Sequence, residues 1–320
     1  MEITEIVFPE PLIAPEKLRP SVRTLEPPAP GHVQIAVSAA GVSFDDMLMR
    51  RGTSPGHPGF PLVPGRDVAG TVEREGPGVT GLGGRRVAAL VERGGWATGV
   101  NVPAADVVPI PDGLSWEQAV SLAYPGVLAW RMLHEPAQVT AGQTIVVPGA
   151  PGWVGTVLVQ LAGLAGARVI GVSSTRQLAE CEGLEFEPID HWTEDVPSRV
   201  AAYAPDGVDA VFDTIGGPNL TESLGLLKPG GVLVSYGNWA TRDLPRGAHL
   251  ADLERLGDPR VVVADTGPSP RVLAHVLALG IRPFVAGPYG FGEAGRALED
   301  FENGGLVGRV VLHRNSSARP

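Results

Sequence analysis

The chain has 320 residues, of which 43% are hydrophobic and 19% charged, so it is long enough for two domains and can bury their cores. This excludes a disordered polymer, and the formal net charge of −10 argues against a nucleic-acid or anionic-membrane surface. Cys181 is the only cysteine, which rules out an internal disulfide and a four-cysteine zinc lobe and fits an inert packing residue.

The N-terminal MEITEIVFPEP has no basic region followed by an apolar core, so no secretory signal is expected and the location is expected to be cytoplasmic. The uncharged run from Pro136 to Ala167 holds Pro148, Gly149, Pro151 and Gly152 at its middle, which leaves too little to span a bilayer.

Residues 1–122 give short strands between Pro/Gly turns: Val33–Val37, Val68–Val72, Arg86–Val91 and Asp106–Ile110. Pro58–Gly65 is a loop, because prolines at that density cannot sit in a ladder. Asp46 and Arg50 stand at i,i+4 spacing, which suggests a helical ion pair. Ser115, with Glu117 and Gln118 behind it, looks like a helix N-cap.

From 123 to 266 helices alternate with buried strands, the pattern of a parallel sheet. The expected strands are Thr144–Val147, Arg168–Val172, Ala210–Asp213, Gly231–Tyr236 and Arg260–Val263. Residues 267–320 return toward β character, with a helix over Glu293–Glu302 and a strand over Gly305–Leu312.

The segment Thr144–Ser174 carries the clearest chemistry. A β-branched strand runs into Ala150-Pro151-Gly152-Trp153-Val154-Gly155, a helix with Val154, Val157, Leu158, Leu161 and Ala165 on one face, and a second strand. Glycine-rich strand–turn–helix units of this kind hold a dinucleotide diphosphate at the helix N-terminus, with Ala150 here in place of the first glycine. Beyond the second strand, where an acidic residue would meet a ribose 2′-hydroxyl, stand Ser173, Ser174, Thr175 and Arg176. Hydroxyls and a guanidinium suit a 2′-phosphate, hence NADP(H). A solvated helix start is the lesser alternative for Arg176.

Several motifs in order resemble the medium-chain dehydrogenase/reductase superfamily, in its zinc-independent quinone oxidoreductase (zeta-crystallin-like) and enoyl reductase branch. They are GVSFDDMLMRRG (41–52), PLVPGRDVAGTV (61–72), APGWVG (150–155), VDAVFDTIGG (208–217), LLKPGGVLVSYGN (226–238) and GRVVL (308–312). The resemblance implies an α/β fold: a GroES-like β-rich catalytic domain over 1–122 and 267–320, and a Rossmann doubly wound parallel-sheet domain over 123–266. It also implies a site in the cleft between them, a homodimer paired through the Gly231–Tyr236 region or an edge strand, and hydride transfer from NADPH to an enone, enal or quinone.

By the same resemblance Ser43 and Arg66 stand where zinc-dependent relatives carry a cysteine and a histidine, and neither is a convincing zinc ligand, so no metal is expected. The expected catalytic contacts are Ser43, Asp46, Ser54 and Tyr124; Tyr236, Gly237 and Asn238 join the cofactor side. His191 falls where relatives place a tyrosine beside the 2′-phosphate, or is a solvated loop residue. Ser43, Ser54, Leu128 and Trp153 replace asparagine, tyrosine, threonine and glycine of the family pattern. These departures suggest a tailoring reductase of secondary metabolism. They also leave open a second reading, a cofactor-binding protein with altered or lost redox activity that serves a rearrangement, a cyclisation or sensing.

Overall fold

The computed structural model describes residues 1–54, 56–244, 246–264 and 267–314. In chain order the elements are β1 (Glu2–Ile6), β2 (Pro20–Thr24), β3 (His32–Gly41), α1 (Phe44–Arg51), β4 (Asp67–Glu75), β5 (Arg86–Leu90), β6 (Gly99–Pro103), β7 (Val107–Pro109) and α2 (Trp116–His134). There follow β8 (Thr144–Pro148), α3 (Gly155–Leu164), β9 (Arg168–Ser173), α4 (Thr175–Glu180), β10 (Glu187–Asp190), α5 (Val196–Tyr203), β11 (Val208–Asp213), α6 (Asn219–Gly225) and β12 (Leu227–Ser235). The last are α7 (Arg246–Leu256), β13 (Val261–Val263), α8 (Pro270–Ala278), β14 (Val285–Gly290), α9 (Ala294–Asn303) and β15 (Arg309–His313).

The chain divides into two compact units. The first takes Met1–Val127, Pro268–Gly304 and the chain from Arg309 on. Its main sheet has seven strands, ordered β14-β15-β3-β4-β5-β7 with β6 also on β3, and β1 pairs β2 separately. Strand β3 organises it: Val33, Ile35, Val37 and Ala39 alternate into the core, and its ladder partners β4, β6 and β15 are all antiparallel to it. The expected strand over Asp106–Ile110 is shorter, because Ala104–Asp106 form a 3₁₀ turn and β7 starts only at Val107.

Leu128–Gly267 and Gly305–Gly308 form the second unit. Its six strands are all parallel, in the order β10-β9-β8-β11-β12-β13. The chain winds outward from β8 through β10, then restarts at β11 on the other side of β8, so the order reverses between β8 and β11. Ligands bind at the carboxyl ends of the strands beside such a reversal. Val146, Ile170, Val172, Ile189, Val200, Val208, Val211 and Leu226 pack into one cluster, as strands covered on both faces require.

Two expectations are corrected here. β12 lies between β11 and β13, so the Gly231–Tyr236 region has no open edge; the edge strand is β13, with Val263 exposed. The closing strand begins at Arg309 rather than Gly305, because Gly304, Gly305 and Gly308 take positive φ and carry residues 305–308 along the second unit. The Gly308 amide donates there to the Pro151 carbonyl at 2.8 Å.

Candidate functional site

In the first unit, Ser43 and Asp46 form a reciprocal helix cap. Ser43 Oγ and the Ser43 amide each donate to Asp46 Oδ2 at 2.7 Å, and the Asp46 amide returns a longer bond to Ser43 Oγ. Asp46 Oδ1 accepts from the Gly65 amide at 2.7 Å, which ties the start of α1 to the PLVPG loop. Both side chains are fully buried. Burial pushes the Asp46 carboxyl up to about 6, against the lowering effect of its hydrogen bonds to Ser43 and Gly65.

The expected Asp46–Arg50 pair does not form. Arg50 instead donates three times to Glu302 of α9, at 2.7, 2.8 and 3.1 Å, and to the Ile13 carbonyl at 3.0 Å. Asp46 faces the turn before the helix, where its carboxylate meets orphan amides, and these are nearer than a guanidinium one turn along.

Tyr124 lies in α2, one residue before Pro125. Proline has no amide, and the Tyr124 amide before it donates to Asp67 Oδ2 at 3.2 Å. The Tyr124 hydroxyl donates to Asp45 Oδ2 at 2.8 Å. Arg66 completes this group, 3.6 Å from Asp45 Oδ2, with its guanidinium carbon 5.4 Å from the Tyr124 ring centre. Beneath it Asp67 Oδ1 accepts from Arg309 at 2.8 Å in an ion pair sealed from solvent. Burial raises the Asp67 carboxyl while the Arg309 charge draws it down. Gly41 makes room for this pair, since a Cβ there would lie 2.1 Å from Arg309 Nη2 and 2.4 Å from Asp67 Oδ1.

Thus Ser43, Asp46 and Tyr124 fall within one polar neighbourhood of the first unit. Ser54 is half-buried after α1, where its carbonyl accepts from the His57 amide at 3.2 Å. Asp45 and Arg66 were absent from the sequence-based expectation of catalytic contacts. The signal for them was chemical: two adjacent carboxylates at 45–46 and a lone arginine inside an otherwise apolar PLVPG-x-DVAG stretch.

Zinc has no donor set here. Ser43 Oγ is spent on Asp46 and Arg66 is a cation.

In the second unit the strand-to-helix turn runs Gly149–Gly155. The Gly149 amide donates to the Val172 carbonyl and the Gly152 amide to the Gly149 carbonyl, both at 2.8 Å. A Cβ on Gly155 would lie 2.3 Å from the Gly149 oxygen, so glycine lets α3 begin against the turn. At Gly152 an added Cβ would meet only the Gly149 oxygen, at 3.0 Å, and otherwise point into open space. Ala150 and Val154 are buried, while Trp153 is half-buried. The Thr156 and Leu158 amides already donate to the Gly152 and Val154 carbonyls, at 3.0 and 2.9 Å, so what this end of α3 offers an anion is the positive end of the helix dipole.

At the end of β9, Ser173 and Ser174 hydroxyls both meet Gln177 Oε1, at 2.9 and 3.1 Å. Gln177 in turn donates to the Leu306 carbonyl at 3.1 Å. Arg176 is 72% exposed and pairs only with Glu180, one turn on, so its guanidinium is within reach of a ligand. The nearest acid, Asp190, is taken up by the Thr175 hydroxyl and the Trp192 amide, which hold its carboxyl below the usual range. His191 is exposed, stacked loosely on Trp192 with its amide on the Ser173 carbonyl.

After β11, the Asp213 carboxylate gathers the Gly216 amide, Asn219 and Ser223, which fixes the Thr214–Gly217 turn. Tyr236 donates its amide to the Asp213 carbonyl, and burial pushes its hydroxyl up. Gly237 lies so close to Thr214 that a Cβ would meet its Oγ1 at 2.6 Å. Asn238 is buried, its amide nitrogen 3.4 Å from Thr241 Oγ1. Pro151 through Gly155, Ser173–Arg176 and Thr214–Asn238 therefore all stand at the carboxyl ends of parallel strands in one unit.

Two family models match the chain: "Alcohol dehydrogenase GroES-like domain" over residues 29–112 and "Zinc-binding dehydrogenase" over 154–257. The human synaptic vesicle membrane protein VAT-1 homolog is 33% identical over 227 residues, which are 69% of this chain and 58% of that protein. The chain thus spans little more than half of that relative's length. Rat quinone oxidoreductase is 28% identical over 93% of this chain and 94% of its own length. The solved structure of Escherichia coli quinone oxidoreductase complexed with NADPH superposes with a TM-score of 0.87 at 25% identity, covering 97% of this chain and 99% of that one. Among the described residues no helix is long and apolar enough to cross a membrane.

Proposed function

Because the chain belongs to the zinc-independent branch of the medium-chain dehydrogenase/reductase superfamily, we propose that it is an NADPH-dependent reductase of activated carbon–carbon double bonds, in enones or enals, or of quinones. The observation that carries this reading is the end of β9: two serine hydroxyls and an exposed guanidinium, with the nearby Asp190 carboxylate engaged elsewhere. That donor set suits a 2′-phosphate, and the nearby carboxylate that could take a free 2′-hydroxyl is already engaged. The open side of Gly152 and the positive end of the α3 dipole suit the diphosphate.

When bound, the reduced nicotinamide supplies a hydride to the substrate's β-carbon. The protein's share is to orient the acceptor, hold the charge that develops on its oxygen and let a proton reach the α-carbon. Tyr124 is the proton-bearing side chain best placed in the polar neighbourhood, with its hydroxyl on Asp45. Ser43 and Asp46 are positioning residues, since their polar atoms are consumed in the cap of α1. Any dimer would form through the exposed edge at β13.

The test is stopped-flow oxidation of NADPH against a panel of enones, enals and quinones, with turnover of at least one class expected. The burial of Ser43 and Asp46 favours one competing reading, a cofactor-binding protein without redox turnover. Tight NADPH binding with no oxidation across the panel would establish that reading instead.

A further inference from the structure

Arg66 is the partly exposed cation of the polar neighbourhood, and its surroundings ask for something more. Its backbone is fixed, with the carbonyl accepting from the Val91 amide at 2.8 Å beside the start of β4. The guanidinium is not fixed in the same sense. It makes no hydrogen bond to any described residue, and its contacts are the 3.6 Å approach to Asp45 and the face of Tyr124 at 5.4 Å. Its Nε is shielded from solvent and has no acceptor, while the side chain as a whole keeps 23% of its surface exposed.

An arginine offers five donors in a rigid plane and stays charged at all relevant pH. Leaving such a donor buried and unmet is costly, and native structures rarely tolerate it without a reason. Here the plane is held from two sides. Asp45 is oriented by the Tyr124 hydroxyl, and the Tyr124 ring supports the guanidinium face. Neither contact uses up the donor edge.

Charge narrows the choice of acceptor. Arg66 lies against Asp45 and within the field of Asp46, while Asp67 is already paired with Arg309, so the neighbourhood carries no excess positive charge. A doubly charged phosphate would meet Asp45 without surplus positive charge to hold it. A carbonyl oxygen, or an oxygen carrying a single developing charge, fits.

We propose that Arg66 hydrogen-bonds the carbonyl oxygen of the substrate and holds its negative charge during reduction. This rests on the reductase reading above. As the hydride and its electron pair bond to the β-carbon, the C=C pair shifts toward the carbonyl and the oxygen becomes an enolate. Solvent then protonates the α-carbon, the coenzyme leaves oxidised, and Arg66 keeps all its protons. The arrangement requires an acceptor with a carbonyl oxygen conjugated to the bond reduced, and so disfavours unactivated alkenes.

Two readouts separate this proposal from the reading it rests on. The first needs no turnover: 4-nitrophenolate, whose ring and single oxyanion imitate the reduced product, is titrated into the protein and followed by its absorbance. Wild type is expected to bind the phenolate form. Arg66→Met should weaken binding at least tenfold, Arg66→Lys should retain an intermediate affinity, and Arg66→Gln, which keeps a donor without the charge, serves as the check on folding. NADPH affinity should be unchanged in all three.

The second readout is kcat against KM for the best quinone or enone. Arg66→Met should lower kcat about a hundredfold, the usual order for losing one oxyanion donor, with KM moving far less. If phenolate binding and kcat both survive Arg66→Met, the proposal is overturned. If wild type reduces nothing on the panel yet binds phenolate through Arg66, the oxyanion site stands and the reductase reading falls.

Discussion

The two units treat polar groups in opposite ways. In the first, Asp46, Asp67 and Arg309 are sealed from water and held by an ion pair, by backbone amides and by a helix cap. In the second, the half-buried Ser174 and the exposed Arg176 follow a strand end, where their contacts are short-range and replaceable. Burial makes a charged group structural, because removing its partner leaves an uncompensated charge in low dielectric. Exposure leaves it free to exchange a weak internal contact for a ligand. The same residue types therefore serve architecture in one place and recognition in the other.

The contrast should break first at Asp67. Asp67→Ala removes the carboxylate paired with the buried Arg309 and should cost about 3–5 kcal/mol of unfolding free energy, read by urea denaturation. A loss below about 1 kcal/mol would mean that the pair is better hydrated than its burial implies.

Next in size is a pH effect at Asp46. An acid held at about 6 when folded and near 3.8 when unfolded keeps its proton longer in the native chain. Its stabilising contribution is therefore complete below about 3.8 and lost as pH rises through about 6, on the order of 3 kcal/mol in all. Urea midpoints of wild type, measured against Asp46→Asn across that window, should show wild type declining relative to the variant as pH rises. Parallel profiles would show that Asp46 ionises normally.

The smallest effect on the fold should come from Arg176→Ala. It should leave the melting temperature in place and raise the NADPH dissociation constant about tenfold, the order of one charge-assisted hydrogen bond. NADH binding should hardly change. Equal losses for both coenzymes would remove the 2′-phosphate role from this residue.

Legibility followed the range of the interactions. Five of the six parallel strands could be read because each holds apolar, largely β-branched residues between turn residues. β10 was missed because Glu-Pro-Ile-Asp looks like loop, and its place is set by pairing with β9. β2, β6 and β14 escaped for a related reason: exposed or proline-bearing segments become strands only through their partners, and the short β1, with two glutamates in five residues, shows only in its pairing with β2. At the site, the glycine turn and the Ser-Ser-Thr-Arg row are local and could be read directly. The Ser43–Asp46 cap was also local, and the i,i+4 pattern with Arg50 obscured it. Arg50 with Glu302 and Asp67 with Arg309 join residues more than two hundred positions apart, and no spacing rule reaches that far.

That last separation has a consequence for biosynthesis. While the ribosome is still making the middle of the chain, Asp67 and the inner strand β3 have been delivered, but neither the guanidinium nor the ladder partner from β15 exists yet. The parallel-sheet unit, almost contiguous, can close during translation. The β-rich unit must wait, with an acidic interior lacking its counterion, until residues 309–313 emerge. A nascent chain stalled before that point should be an easy target for proteases and a client for chaperones.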